Sequence, residues 1–341
     1  MFYDILIYMD IETLLKNTSR SLYLSVCVLP KTMRGSFAIA YLLCRYADSI
    51  ADTDLLPQDR RLYWIKQFPT IVEKQNPATF KELEQEVCGQ SENPYEKELL
   101  KNLGPCLSIF NKIKNPQKQY ILDVVHAVCE GMEFDLGSFT QGAQKPTALP
   151  TEKELTHYCR LMGGKPGLFW SRLIYHTAKI PLGENDFYEL GQNIGDALQI
   201  VNILRDLPKD LQIGRCYFPQ TDLKENNLSP EGLLSSQNSD RFENIKRKWI
   251  FWGVKNLRSG ITYFKALPKS QFQQRAAVAW PILWTADTLY KVFHEKDILN
   301  SQKRVKISRR IIYLTMLATP LILLSNTLFE KWLNKKLAKF Y

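Results

Sequence analysis

FYELGQNIGDALQIVNILRDL, residues 187–207, reads as one long helix. Leu, Ile, Val and Ala fill nine of its 21 positions, and polar residues recur at steps of three and four, the spacing of a helical face. FAIAYLLCRYADSIA at 37–51 has the same grain, and 118–136 and 275–294 are similar. Alternating strand patterns are scarce, with one short extended piece expected near Cys216–Pro219. The expected fold class is therefore all-α. Loop signals rich in Gly, Pro, Asn, Ser or Thr fall at 137–150 and 220–240, and neither is long enough to separate domains. One helical domain over 1–310, followed by an apolar and basic tail over 311–341, is the simplest organisation.

Charge is unevenly placed. The formal net charge is +10, and residues 301–341 carry nine Lys and Arg against the single acid Glu330, which is +8 of that total. The rest of the chain is near neutral, which argues against a nucleic-acid binder with a basic face on its folded body. The seven cysteines are odd in number and form no C-x-x-C, so neither a disulfide framework nor a zinc site is indicated, and a reducing cytoplasm fits. The first fifteen residues are apolar but contain Asp4, Asp10 and Glu12 with no basic start, unlike a signal peptide.

Two constellations stand out on the apolar helices. In YLLCRYADSIAD, Tyr41, Arg45, Asp48 and Asp52 are spaced to share one face, and nearly every residue between them is apolar. In QIVNILRDLPKD, Gln199, Asn202, Asp206 and Asp210 form a second stripe, flanked by Arg205 and Lys209. Pro208 is expected to kink or end that helix, leaving Asp210 just past a bend. For a single D-x-x-x-D, a solvated face satisfied by neighbouring Arg and Lys is the stronger reading. Two such pairs, each beside an arginine on an apolar helix, weigh toward chemistry, because buried charges need partners.

The chemistry that wants this pattern is metal-assisted departure of diphosphate. Magnesium (Mg2+) takes oxygen ligands, commonly one or two carboxylates plus substrate phosphates. It stabilises the charge that builds on a leaving diphosphate, while Arg45 and Arg205 can neutralise further oxygens. No His joins either cluster, against zinc, and the EF-hand spacing for calcium is absent.

At these residues the sequence resembles the squalene and phytoene synthase family. TSRSLYL at 18–24 looks like its early Ser-Arg-Ser segment, AYLLCRYADSIADT at 40–53 like its first aspartate motif, and ALQIVNILRDLPKDLQIGRCYFP at 197–219 like its second. VKISRR at 305–310 is similar to a basic element near the end of bacterial members, so the resemblance runs from about residue 15 to 310. It implies a helical prenyl-synthase bundle around a central apolar cavity, with Asp48, Asp52, Asp206 and Asp210 holding magnesium. It also implies diphosphate contacts from Arg20, Arg45, Arg205, Lys209, Arg215 and Tyr217, with Tyr41, Gln199 and Asn202 lining the polar part of the cavity. D-x-x-x-D in place of D-D-x-x-D favours head-to-head over head-to-tail coupling.

The family's third motif, of the form Tyr-x-x-x-Val-Ala-Gly-x-Val-Gly, departs here to Tyr158-Cys159-Arg160-Leu161-Met162-Gly163-Gly164-Lys165-Pro166-Gly167. Gly-Gly and Pro are expected to weaken this helix, and Lys165 reads either as a charge near substrate or reductant or as a solvent-seeking side chain. Tyr158 is a candidate proton-handling group or a structural hydroxyl. Phe169 and Trp170 are candidate cavity walls that shield and stabilise a cation, or plain core. The implied reaction joins two farnesyl diphosphates through presqualene diphosphate to squalene, with hydride from NADPH. No G-x-G-x-x-G is present, and a dinucleotide would bind here without one. Dehydrosqualene, presqualene diphosphate or phytoene formation, the last from geranylgeranyl diphosphate, and non-catalytic diphosphate binding are the rivals.

The tail carries IIYLTMLATPLILL at 311–324, a 14-residue apolar run bracketed by basic residues. That is short of the roughly 20 residues that span a bilayer, and Pro320 interrupts it. A helix closing the bundle and a membrane attachment are the two readings. Interfacial contact with anionic lipid is favoured over a full span, on a cytoplasmic enzyme. The oligomeric state is not legible.

Overall fold

The computed structural model describes residues 11–18, 22–53, 56–87, 94–139, 145–300 and 305–340. Helices dominate it, as the apolar spacing requires. The chain falls into two compact units, Met1–Leu136 and Gly137–Tyr341. Arg20 lies outside the described residues.

In the first unit come α1 (residues 11–18), α2 (Leu22–Val28), α3 (Lys31–Asp52), α4 (Gln58–Lys74), α5 (Pro77–Val87), α6 (Pro94–Lys101), α7 (Leu103–Lys112) and α8 (Gln117–Ser138), the last of which reaches the second unit's boundary. The α3 helix is the hub, packed against α2, α4, α6 and α7. Its Phe37, Ile39, Leu42, Leu43, Tyr46 and Ile50 are buried, and the Tyr46 ring stacks on Phe68 of α4 at 5.4 Å. Each such side chain contributes about 1.5–3 kcal/mol by leaving water. The end of α3 is held from outside the helix. Buried Arg61 of α4 donates from Nη1 to the Ala51 carbonyl at 3.0 Å, satisfying one of the acceptors that a helix C-terminus leaves open. Ser36 donates to Gln117 of α8 at 2.7 Å.

The second unit runs β1 (Thr147–Leu149), α9 (Glu152–Cys159), a π-turn (Arg160–Gly164), α10 (Lys165–Thr177), α11 (Glu184–Gln212), β2 (Arg215–Pro219), α12 (Gln220–Glu225), α13 (Ser239–Leu257), α14 (Ser259–Ala266), α15 (Phe272–His294), α16 (Arg309–Leu324) and α17 (Asn326–Leu337). A capping box starts α9, where Thr151 accepts from the Lys153 N–H at 3.2 Å and Glu154 accepts from the Thr151 N–H at 2.9 Å. The central α11 packs against α9, the π-turn, α10, α13, α14, α15 and β2. The expected extended piece is β2, paired in parallel with β1 through Thr147↔Arg215 and Ala148↔Cys216. The stretch read as loop at 220–240 holds α12 and two single 3₁₀ turns before α13 begins.

One expectation about a helix breaker is corrected. Pro208 does not end the helix, and α11 continues through it to Gln212. Proline forfeits one hydrogen bond and costs about 3 kcal/mol in a helix interior, but Leu207, Pro208 and Leu211 are all buried there, and that packing holds the last turn. At Gly163-Gly164 the regular α-helix gives way, but the chain stays helical. The segment winds as a π-turn straight into α10, with Pro166 in the first turn, where its missing N–H is least costly. The glycines serve packing. A Cβ on Gly163 would lie 2.2 Å from the Gly195 carbonyl oxygen, and one on Gly167 would lie 2.2 Å from that of Gly191. Backbone thus meets backbone between the third motif and α11.

The tail folds back onto its own unit. Both α16 and α17 pack on α15, and α17 also on α14. Arg275 of α15, fully buried, donates to the carbonyls of Leu323 at 3.0 Å and Leu267 at 2.7 Å, and to Asn326 at 2.8 Å. Trp280 donates to Thr319 at 2.8 Å. Among the described residues no helix is long and apolar enough to cross a membrane.

Candidate active site

Each unit carries one polar stripe. On α3 the residues around Tyr41, Arg45, Asp48 and Asp52 (Leu42, Leu43, Tyr46, Ala47, Ile50 and Ala51) are buried, while the four themselves reach the surface. That is the face the spacing predicts. Arg45 and Asp48 form an ion pair one turn apart, each side chain 31% exposed. The Tyr41 hydroxyl donates to the Thr18 carbonyl at 2.9 Å, which ties this stripe to the end of α1. Asp52 sits exposed on the last turn of α3, the turn that Arg61 braces.

On α11, Gln199, Asn202, Asp206 and Asp210 likewise emerge between buried Ile200, Val201, Ile203, Leu204, Leu207 and Leu211. Because the helix runs through Pro208, Asp210 stays one turn beyond Asp206 on the same face. Arg205 clasps Asp206 with two parallel bonds, Nε to Oδ1 at 3.1 Å and Nη2 to Oδ2 at 2.5 Å. Lys209 is exposed beside them.

Past α11 the chain turns at Gly214, whose φ of 88° suits glycine. The Gly214 N–H donates to Leu211 at 3.2 Å, and its carbonyl accepts from Thr147 at 3.0 Å. That reversal starts β2 and sets Arg215, half-buried, three residues past the helix end, with Tyr217 buried on the same strand. Tyr158 from α9 stacks on Tyr217 with ring centres 4.8 Å apart, and its hydroxyl donates to that of Tyr217 at 3.3 Å. Phe139 meets the Tyr217 ring edge-on at 5.2 Å. The third and second motifs, read separately in the sequence, therefore converge on one aromatic pair. Phe169 is buried in α10.

The donors of both stripes are oxygens. Among the described residues no three His, Cys, Asp or Glu side chains gather into a ready-made metal cage. Two carboxylates one turn apart on each helix suit magnesium, which completes its sphere with water and phosphate oxygens. Asp48 with Asp52, and Asp206 with Asp210, are the residues fit to hold it.

One charged pair escaped the sequence reading. Asp196, 2% exposed, takes an ion pair from Arg160 of the π-turn at 2.9 Å, and Arg160 also reaches Glu189 at 3.3 Å. The Asp196 Oδ1 has no hydrogen-bond partner among the described residues. The signal was available, since Asp196 lies three residues before Gln199 and so continues the α11 stripe. Burial raises the Asp196 carboxyl to about 7, only partly offset by Arg160. The folded state then holds the proton more tightly than the unfolded chain, so stability should fall as pH rises from about 4 to about 7. Melting temperatures of the wild type and Asp196→Asn, taken across this range, are expected to diverge in the variant's favour as pH rises. A constant difference would contradict the assignment.

The fold is that of the squalene-synthase-like terpenoid synthases. Residues 15–310 match the squalene/phytoene synthase family, and the chain belongs to it. It is 29% identical over 240 residues to the bifunctional lycopene cyclase/phytoene synthase of Colletotrichum graminicola, covering 69% of this chain and 38% of that relative. It is 22% identical over 298 residues to the squalene synthase of Schizosaccharomyces pombe, covering 86% of this chain and 61% of the relative. The solved structure of TcSQS with the ligand E5700 superposes with a TM-score of 0.77 at 17% identity, covering 98% of this chain and 96% of that one. The chain thus spans well under half of the first relative's length.

Proposed function

We propose that this chain joins two farnesyl diphosphates head to head, through presqualene diphosphate, and reduces the product to squalene with NADPH. The observation that carries the reading is the pair of D-x-x-x-D stripes on α3 and α11, each with an arginine clasping its first aspartate. Asp48, Asp52, Asp206 and Asp210 would hold magnesium, which would supply Lewis-acid stabilisation to departing diphosphate. Arg45 and Arg205, paired with the aspartates here, would turn their donors to diphosphate oxygens as those carboxylates take up the metal. Lys209, Arg215 and, where it falls, Arg20 add positive charge for the same oxygens. Tyr41, Gln199 and Asn202 orient the polar end of the substrate.

Closing the cyclopropane of the intermediate releases a proton, and the Tyr158 hydroxyl relays it, its oxygen accepting as its own proton passes through the Tyr217 hydroxyl at 3.3 Å to the released diphosphate. Phe169 presents an apolar wall that keeps water from the cation. We place the enzyme in the cytoplasm, attached to membrane through its C-terminal segment. Phytoene or dehydrosqualene formation is the second reading, favoured by the phytoene synthases among the relatives.

Purified chain incubated with magnesium and farnesyl or geranylgeranyl diphosphate, with and without NADPH, and analysed by mass spectrometry separates these readings. Squalene appearing only when NADPH is supplied is the expected result. Dehydrosqualene alone, or phytoene from the longer substrate, would replace the first reading with the second. Bound but unconsumed diphosphate would mark a non-catalytic binder.

A further inference from the structure

The outer face of α16 is apolar where a helix packed on a protein should be polar. Tyr313, Leu314, Leu317, Leu321 and Leu324 are 61, 52, 77, 65 and 61% exposed, and Leu328 at the start of α17 is 46% exposed. Only three other large apolar side chains among the described residues are comparably exposed, Tyr63, Leu234 and Phe272. The six therefore form a patch rather than the usual scatter. Their steps of three and four place Leu314, Leu317, Leu321 and Leu324 on one stripe.

The face is not a core face turned outward. The opposite side of α16 is already built in, with Thr315, Thr319, Ile322 and Leu323 buried. The bonds from Trp280 to Thr319 and from Arg275 to Leu323 fix the helix about its axis. Both sides of one helix are thus apolar, one taken by the protein and one left for something else.

Charge indicates what that something is. Exposed Arg309 and Arg310 stand at the start of the stripe, and exposed Lys331, three residues past Leu328, stands at its end. The sole acid of the tail, Glu330, is taken by Lys265 at 2.7 Å. Cations at both ends of an apolar stripe, with no exposed carboxylate between them, complement an anionic lipid surface. A second copy of this chain would bring the same cations against themselves. We propose that α16 and the start of α17 form an in-plane docking surface for an anionic bilayer, with the six apolar side chains in the acyl boundary and Arg309, Arg310 and Lys331 at the headgroups. At 16 residues, and fastened along its inner side, α16 lies on the membrane and does not cross it. This deepens the proposed membrane attachment and holds whichever product the enzyme makes.

The test is flotation of the full chain with phosphatidylcholine vesicles, either pure or containing one-third phosphatidylglycerol, alongside Leu317→Glu/Leu321→Glu. Both substituted residues are exposed, so helical circular dichroism and turnover of detergent-dispersed substrate should match the wild type. The wild type is expected to float with the anionic vesicles, more weakly with the neutral ones and less in high salt. The double variant is expected to lose roughly tenfold or more of that binding. A variant that floats as well as the wild type would overturn the face while leaving membrane attachment standing. A wild type that fails to float with either vesicle would overturn both. A wild-type dimer in sedimentation that the double variant converts to monomer, with no vesicle binding, would assign the face to a second copy and overturn the lipid assignment.

Discussion

Asp48→Asn and Asp206→Asn, each made alone, are expected to lower turnover by about a hundredfold or more while leaving the fold in place. Losing a metal-held carboxylate removes several kcal/mol of transition-state stabilisation, and each 1.36 kcal/mol is about tenfold in rate. The structural share of either side chain is small. Asp48 is 31% exposed and Asp206 is 25% exposed, and their arginine partners are similarly solvated. Ion pairs of that kind contribute about 0–1 kcal/mol. The two effects are therefore well separated, and unchanged helical circular dichroism beside collapsed turnover is the signature. Asparagine keeps the size and one acceptor oxygen of each site, so retained turnover in both variants would remove these carboxylates from the chemistry.

The second large effect falls on stability. A Cβ on Gly195 would lie 2.0 Å from the Gly163 carbonyl oxygen and 2.6 Å from its carbon. Both are backbone atoms, so no side chain can swing aside. Gly195→Val must push the π-turn away from α11, and overpacking of a fixed contact costs about 3 kcal/mol or more at its upper end. For a unit of this size that corresponds to a melting temperature lower by roughly 6–12 °C. Gly137→Ala is the control, because a Cβ there meets nothing within 4 Å and alanine favours helix by up to about 1 kcal/mol. Equal melting of Gly195→Val and the wild type would contradict the backbone contact.

Both stripes were legible because helical periodicity is a local property. Arg45, Asp48 and Asp52 sit among residues apolar enough that only one face of α3 was free, and the fold buries the others. The strand Arg215–Pro219 was also foreshadowed, by the extended piece expected near Cys216–Pro219. What escaped depends on tertiary partners. Pro208 reads as a breaker until buried Leu207 and Leu211 are seen to hold the turn. The strand Thr147–Leu149 exists only by pairing with β2, which no local pattern encodes. Gly163-Gly164 reads as weakness until Gly195 is placed against it. The Arg160–Asp196 pair joins the third motif to α11 just ahead of the second, and the Tyr158–Tyr217 pair joins the third motif to the second. The apolar run 311–324 left open whether it closed the bundle or met lipid. The helix does the first with one side and exposes the other.

Substrate labelled with carbon-13 at the diphosphate-bearing carbon tests the coupling itself. Should the enzyme join its substrates as proposed, the two labelled carbons become the bonded, symmetry-equivalent central pair of the final hydrocarbon, and all the label appears in one central-carbon signal whether the product is squalene, dehydrosqualene or phytoene. A longer linear diphosphate with its labelled carbons apart would mean head-to-tail elongation and would contradict the account.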